Sequence, residues 1–163
     1  MEKVKEYFEE ELRSRSVVYS KKLCLEIQSL IDKMLTSKRE VSVTPDFFVK
    51  VFDSFGDESK SEGQFAIVSF AYIGGILRML SKEEELSNKE YPLVLDGPFS
   101  KLDPDQRQNV IDTIPEYAPQ VILFSKDDLQ DCFDSEKIGA VWTIRSNDEK
   151  NVAYIEEGFR WTK

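Results

Sequence analysis

The sequence predicts an α/β fold, with a mainly parallel sheet flanked by helices and a terminal antiparallel hairpin. Residues 93–95 and 121–124 are continuous apolar runs, which is typical of parallel strands covered on both faces. Between them, Asp103 and Pro104 begin a helix, with the aspartate as N-cap and the proline in the first turn. A strand, a helix and a second strand at this spacing form a crossover unit.

The N-terminal third is predicted to be helical and then to form two strands. Residues 2–16 are mostly charged with sparse apolar positions, as in a solvated or coiled-coil helix. Residues 41–43 and 47–52 are predicted strands, and a polar loop follows over 53–60. Before them, apolar side chains recur on one helical face at Leu23, Ile27, Leu30, Ile31 and Met34.

A second helix is predicted over residues 64–80, where apolar side chains occur on nearly all sides. A helix of this kind is expected to be buried. Gly74 and Gly75 lower its helix propensity by about 1 kcal/mol each relative to alanine, so we expect compensation from close packing against another backbone. At the end of the chain, residues 140–144 and 151–155 are the predicted strands of the hairpin.

The composition is that of a soluble globular protein with one domain. The 163 residues are 40% hydrophobic and 33% charged, and the sequence has no histidine, which excludes histidine-based triads and His-ligated metals. We expect no membrane segment, because no apolar run approaches the roughly 18 residues that a span needs. No secretory signal is expected, and Cys24 and Cys132 fit no metal spacing, so a reducing, cytoplasmic location is expected.

The net charge of −9 argues against this chain as the main contact for nucleic acid. Duplex binding depends on lysine and arginine neutralising phosphates, and no basic stripe with interleaved aromatic residues is present. If DNA is a partner, we expect another segment or another protein to contact it.

Ser61, Glu62, Gly63 and Gln64 precede the apolar helix and have two interpretations. A serine followed three residues later by glutamine is a capping box. The same turn, with free amides and a small serine reached through a glycine, is also suited to binding an anion. Both interpretations stay open from these residues alone.

Asp96 ends the first predicted parallel strand. Ligands of such sheets bind beyond the carboxyl ends of the strands, where an ionised aspartate suits Mg²⁺. The alternative is a turn cap with Gly97 and Pro98. Directly after this turn come Ser100, Lys101, Leu102 and Asp103.

In order and spacing, these three pieces resemble the signature loop (residues 60–64), Walker B strand and D-loop of an ABC-type ATPase. The resemblance is nearest to SMC-like, coiled-coil ATPases, and within them to the DndD-like branch associated with DNA phosphorothioation and restriction. It implies that Ser61, Glu62, Gly63 and Gln64 contact a nucleotide held by the opposite subunit. It also implies that Asp96 holds Mg²⁺, and that residues 100–103 communicate across the interface.

The chain departs from the family pattern at three positions. Gly97 stands where these ATPases carry the glutamate that orients the attacking water, and Ser125 stands where they carry a histidine that senses the terminal phosphate. Lys60 stands where leucine is usual. No residue is therefore assigned as catalytic with certainty.

The resemblance implies a C-terminal ABC ATPase lobe, a P-loop NTPase-like half-domain, over residues 36–163. Residues 1–35 would be the base of a coiled-coil arm and its leading helix. A GxxxxGK[ST] motif is absent, so an N-terminal lobe with Walker A must complete the ATP–Mg²⁺ site, and the chain alone is expected to be inactive. The implied function is slow ATP hydrolysis at a homodimeric head–head interface, coupled to DNA processing, repair or defence.

Two alternatives remain. The first is a nucleotide-gated dimerisation module with little or no hydrolysis, which Gly97 and Ser125 favour. The second is an unrelated α/β binding domain in which the three motifs are ordinary caps and turns.

Overall fold

The computed structural model describes residues 2–58, 61–83, 91–126, 129, 132–133, 135–147 and 150–158. The chain divides into two compact units, residues 1–127 and 128–163. The elements of the first unit are α1 (Glu2–Met34), β1 (Glu40–Val43), β2 (Val49–Phe52), α2 (Glu62–Lys82), β3 (Leu93–Asp96), α3 (Pro104–Thr113), a 3-10 helix (Ile114–Glu116) and β4 (Val121–Phe124). The second unit contains a 3-10 helix (Ser135–Lys137), β5 (Trp142–Asn147) and β6 (Val152–Glu157).

Helix α1 is continuous, and its C-terminal half packs against α2. The predicted face is buried, at Leu23, Ile27, Leu30, Ile31 and Met34. Gly74 and Gly75 of α2 face this stripe: a Cβ atom at Gly74 would lie 2.8 Å from Leu30 Cδ1, and one at Gly75 would lie 3.0 Å from Ile27 Cγ1. Close packing at the two glycines is confirmed, but the expected backbone neighbour was wrong: the near atoms at Gly74 belong to the side chains of Leu30 and Tyr117, and the two nearest at Gly75 are also side-chain atoms.

An ion-pair network flanks the contact between α1 and α2. Arg78 of α2 pairs with Glu26 of α1 and with Glu116 of the 3-10 helix, and its side chain is 16% exposed. Lys33 approaches Glu116 at 2.5 Å, and Lys82 pairs with Glu26. The network therefore joins three elements around one partly buried guanidinium group.

Strands β1 and β2 form the predicted antiparallel pair, with Val41 opposite Val51. The second strand is shorter than expected, because Phe47 and Phe48 belong to the turn. Phe47 has a φ of 62°, in the left-handed region that a bulky residue rarely adopts, so it cannot continue an extended strand.

Strands β3 and β4 are parallel, with Leu93 opposite Val121 and Asp96 opposite Phe124, and α3 lies between them in the chain. This crossover was predicted correctly. The expectation of a mainly parallel sheet was wrong for the described residues, which form three separate two-stranded sheets, two of them antiparallel. The expected cover on both faces was also wrong, since Val94 is 57% exposed.

Helix α2 is only partly buried, contrary to the prediction. Ile67, Phe70 and Ala71 lie in the core beside the two glycines, whereas other apolar side chains are exposed, among them Phe65 and Ile73. By length and composition, this 21-residue helix is apolar enough to cross a bilayer, so the expectation that no segment approaches that length was wrong. Its glycine face nevertheless packs closely on the side chains of α1, as in the core of a globular unit.

The second unit contains the predicted terminal hairpin, shifted slightly along the sequence. Strands β5 and β6 are antiparallel, with Ile144 opposite Ile155. Directly opposite residues share a face of a two-stranded sheet, and this face is apolar at Trp142, Ile144 and Ile155, all more than half exposed. On the other face, Arg145 and Glu156 form an ion pair.

Candidate functional site

The turn before α2 forms a complete capping box. The Gln64 amide donates to Ser61 Oγ at 3.2 Å, and the Ser61 amide donates to Gln64 Oε1 at 3.2 Å. The capping interpretation of these residues is therefore confirmed. It does not exclude the anion interpretation, because the first amides of any helix lack intrahelical partners. Lys60 lies outside the described residues.

The loop of residues 100–103 contacts this turn. Lys101 Nζ lies 2.9 Å from Glu62 Oε2, and hydrogen bonding and charge from Lys101 lower the pKa of the Glu62 carboxyl group. A Cβ atom at Gly63 would lie 3.0 Å from the Lys101 carbonyl oxygen and 3.1 Å from Gln106 Oε1. We call the residues Glu62, Gly63, Lys101 and Gln106 the loop junction.

Buried side chains anchor the loop of residues 100–103 to the core. Phe99 is 1% exposed, and its ring stacks on Phe70 of α2 with centroids 5.9 Å apart. Leu102 is also buried. At the other end, Asp103 caps α3, since its Oδ1 atom accepts from the Gln106 amide at 2.8 Å. The Asp103 carboxylate is thus engaged in a structural hydrogen bond.

Asp96 lies exposed at the carboxyl end of β3. The Gly97 amide donates to the Phe124 carbonyl at 2.9 Å, so Ser125 follows β4 at the same edge of the parallel pair. Gly97 has a φ of +56°, and nothing lies within 4 Å of a Cβ built there. A larger residue at this position would therefore meet backbone strain and open space.

The donor set at Asp96 fits Mg²⁺ only in part. An exposed carboxylate at a strand end is a suitable oxygen ligand. Among the described residues, however, no group of three or more acidic, histidine or cysteine side chains is clustered to hold a metal ion. A magnesium ion here would need further oxygen ligands from water and nucleotide phosphates.

The sequence did not reveal the loop junction as a contact. Gln106 carried no predicted role, and the pairing of Glu62 with Lys101 joins two segments that are distant along the chain. A local pattern cannot signal such a contact. The glycine at position 63 was a partial signal, because glycine is common where another backbone approaches closely.

No family model matches the sequence, and no curated protein matches it. Solved SMC structures are similar in fold. One, from work on ATP-driven dimerization and DNA-stimulated activation of SMC ATPases, has a TM-score of 0.66 at 12% identity over 90% of this chain and 89% of that chain. The chain has the fold of part of an SMC head.

Two further structures support this conclusion. The Pyrococcus furiosus Smc head domain with an extended coiled coil, bound to the C-terminal domain of ScpA, has a TM-score of 0.65 at 14% identity over 96% of this chain. The Thermotoga maritima SMC head domain has a TM-score of 0.57 at 14% identity over 91% of this chain. This chain spans 40% and 51% of those two chains. The expected SMC-like fold is confirmed at this level.

Proposed function

We propose that this chain is the C-terminal lobe of an SMC-like ATPase, which binds ATP–Mg²⁺ at a head–head interface and hydrolyses it slowly. One observation carries the proposal: the 61–64 turn and the 100–103 loop, which the sequence suggests as signature and D-loop, are in direct contact within an SMC-head fold. Coincidental caps and turns give no reason for these two segments to meet.

Each segment has a role that its chemistry supports. The 61–64 turn presents helix amides to the phosphates of a nucleotide bound by the opposing head, since anions are stabilised at helix N-termini. Asp96 contributes a carboxylate oxygen to Mg²⁺ on its own head. When bound, Mg²⁺ neutralises developing charge on the transferred phosphoryl group. Residues 100–103 contact the opposing head across the interface.

Open apolar surfaces support an N-terminal lobe with Walker A as partner. Val94, Ile122 and Phe124 are exposed on the parallel strand pair. A groove with a volume of about 430 Å³ also lies between the β1–β2 hairpin and α2, lined by Phe47, Phe48, Val49, Val68, Ser69, Tyr72 and Ile73. Large exposed apolar patches usually mark interfaces. Residues 36–163 would meet this partner, while residues 1–35 would form the base of the coiled-coil arm.

Slow turnover follows from Gly97 and Ser125. Neither residue supplies the carboxylate or the imidazole that the family uses around the terminal phosphate. Slow hydrolysis suits a switch that acts on DNA through other parts of the whole protein, in repair or in DndD-like restriction, in the cytoplasm. The second candidate is a nucleotide-gated dimer without hydrolysis, because a ligand that prefers the closed state shifts the population without being consumed.

Titration with ATP tests the half-site directly. The chain alone is expected to bind ATP poorly or not detectably, because it lacks the amide-lined loop and lysine that hold the β- and γ-phosphates. Combined with an N-terminal lobe carrying Walker A, it is expected to dimerise with ATP, and Ser61→Arg is expected to abolish this dimerisation by blocking close approach of phosphate. Micromolar ATP binding by the chain alone, or dimerisation of the Ser61→Arg protein, would contradict the proposal.

Substitutions at the strand end separate the two candidate functions. Asp96→Asn should remove Mg²⁺-dependent hydrolysis in the two-lobe protein, because an amide lacks the negative charge. Gly97→Glu should raise turnover by at most about 10²–10⁴-fold. The left-handed backbone at position 97 disfavours glutamate, and this strain lowers the stability of the variant. Gly97→Ala is the control for that backbone strain. Full activity of the Asp96→Asn protein would refute the Walker B assignment, and turnover too low to measure in the unaltered protein would favour the gated dimer.

A further inference from the structure

We propose that Lys101 and Gln106 are positioning residues that hold the 61–64 turn against the 100–103 loop, so that the two segments behave as one rigid unit. The contact itself is made by residues of this chain alone. Its consequence, that the signature and the D-loop are presented together to the opposing head, rests on the proposed function.

The ionic part of the junction is a single pair across two elements. Glu62 belongs to the first turn of α2, and Lys101 belongs to the loop that follows β3. Their charged atoms are 2.9 Å apart, and both side chains are more than half exposed. Exposed pairs contribute little to global stability. The pair can therefore set the relative position of the two segments without being needed for folding.

The steric part of the junction lies at Gly63. Its backbone approaches so closely that a Cβ atom would lie 3.0 Å from the carbonyl oxygen of Lys101 and 3.1 Å from Oε1 of Gln106. Contacts this short leave no room for a methyl group unless the loop moves by a few tenths of an ångström. The backbone of the loop and one side chain of α3 thus form a stop against which the turn rests.

Both sides of the junction are fixed to rigid elements. The loop is anchored by Phe99, which is buried against Phe70 of α2, and by Asp103, which caps α3. The turn is fixed by the reciprocal hydrogen bonds of Ser61 and Gln64. The Phe99–Phe70 stack already holds the loop beside α2, and the Glu62–Lys101 pair and the Gly63 contact set the position of the turn against the loop.

The first test is an NMR titration of the 163-residue chain, with Lys101→Met as the variant and Lys38→Met, an exposed lysine on the loop after α1, as the control. Loss of Lys101 is expected to raise the pKa of Glu62 toward its ordinary value and to shift the Gly63 amide resonance. The control should change neither. The exchange Glu62→Lys with Lys101→Glu is expected to return the Gly63 amide toward its original position. An unchanged Glu62 titration and Gly63 amide in Lys101→Met would overturn the proposal.

The second test uses the steric contact. Gly63→Ala is expected to shift the amide resonances of Lys101 and Gln106, whereas Gly139→Ala, where a Cβ would meet nothing within 4 Å, should leave them in place. Gln106→Ala should remove part of the stop and reduce the shifts that Gly63→Ala causes. Shifts confined to the 61–64 turn itself would overturn the proposal, since the two segments would then move independently.

A final measurement separates this proposal from the proposed function. In the two-lobe protein, Lys101→Met should raise the ATP concentration for half-maximal dimerisation by about two- to fivefold, as expected for an exposed pair, and the charge exchange should reverse much of the change. If the NMR shifts appear but no variant of the two-lobe protein responds to ATP, the rigid unit stands and the nucleotide function is refuted. Altered ATP dependence without NMR shifts refutes the rigid unit.

Discussion

The two sides of helix α2 differ in how far their packing is completed. On one side, Ile67 is fully buried, and Gly74 is packed so closely that an added Cβ atom would lie 2.8 Å from Leu30 Cδ1 of α1. On the other, Ile73 is 39% exposed and lines the groove beside the β1–β2 hairpin. Apolar surface stabilises a fold only when it leaves water, so the second side contributes little to the stability of this chain. In the proposed function, the N-terminal lobe covers it.

A matched pair of substitutions tests this difference most strongly. Ile67→Ala should lower the free energy of unfolding by about 2–5 kcal/mol, as buried isoleucine truncations do. Ile73→Ala, the same substitution on the less packed side of the helix, should change it by less than about 1 kcal/mol. Urea denaturation of the two variants measures both values. Equal losses would show that the outer side is packed as tightly as the inner one.

The glycine contact gives the next largest effect. In Gly74→Val, the new side chain would overlap Leu30 and the ring of Tyr117, each within 3 Å of the first added atom. Overpacking of a closed core costs about 1–3 kcal/mol. Gly139→Val is the control for added bulk in open space. If Gly74→Val unfolds at the same temperature as the original chain, α1 and α2 can move apart without cost.

The ion-pair network beside this contact should contribute somewhat less. Arg78→Met leaves Glu26 and Glu116 without their shared partner, and we expect a loss of about 1–2 kcal/mol, since hydrogen bonds to charged groups are the stronger class. Arg15→Met removes an exposed pair with Glu11 on α1 and should have no measurable effect. Added salt should diminish the Arg78 effect only partly, because this guanidinium is 16% exposed.

The cap at the start of α2 should matter least among these packing changes. Ser61→Ala removes the acceptor for the Gln64 amide and should cost about 1 kcal/mol. Ser69→Ala is the control on the same helix, since that hydroxyl donates to the Phe65 carbonyl within the helix and caps no helix end. A loss in Ser69→Ala as large as in Ser61→Ala would argue against the cap as the cause.

The sequence predicted what local pattern can encode. The periodicity of Leu23 to Met34 identified the buried face of α1, and Asp103 with Pro104 identified the start of α3. Local pattern could not show which face of α2 is covered, because Ile67 and Ile73 are equally apolar. It also missed the contact of Glu62 with Lys101, which depends on how β3 and α3 place the loop beside α2. The roles assigned to Ser61 and Asp96 stay predictions.

The smallest expected effect lies in the loop after β2. Asp53 Oδ1 accepts hydrogen bonds from the amides of Asp57 at 3.0 Å and Phe55 at 2.8 Å. These bonds, first that from Asp57 and then that from Phe55, lower the pKa of the Asp53 carboxyl group in the folded chain. Because the folded pKa lies below the unfolded one, this stabilisation is present above the ordinary pKa of aspartate and is lost as pH falls through the lowered value.

Asp53→Asn isolates that contribution, since the amide oxygen can still accept both bonds but does not titrate. The variant should match the original chain in acid, be slightly less stable at neutral pH, and lack the original chain's loss of stability between the two pKa values. Asp46→Asn, at an exposed aspartate in the turn between β1 and β2, is the control. Urea denaturation across this pH range measures the difference. If the two chains stay parallel at every pH, order in the loop after β2 does not depend on the charge of the Asp53 carboxylate.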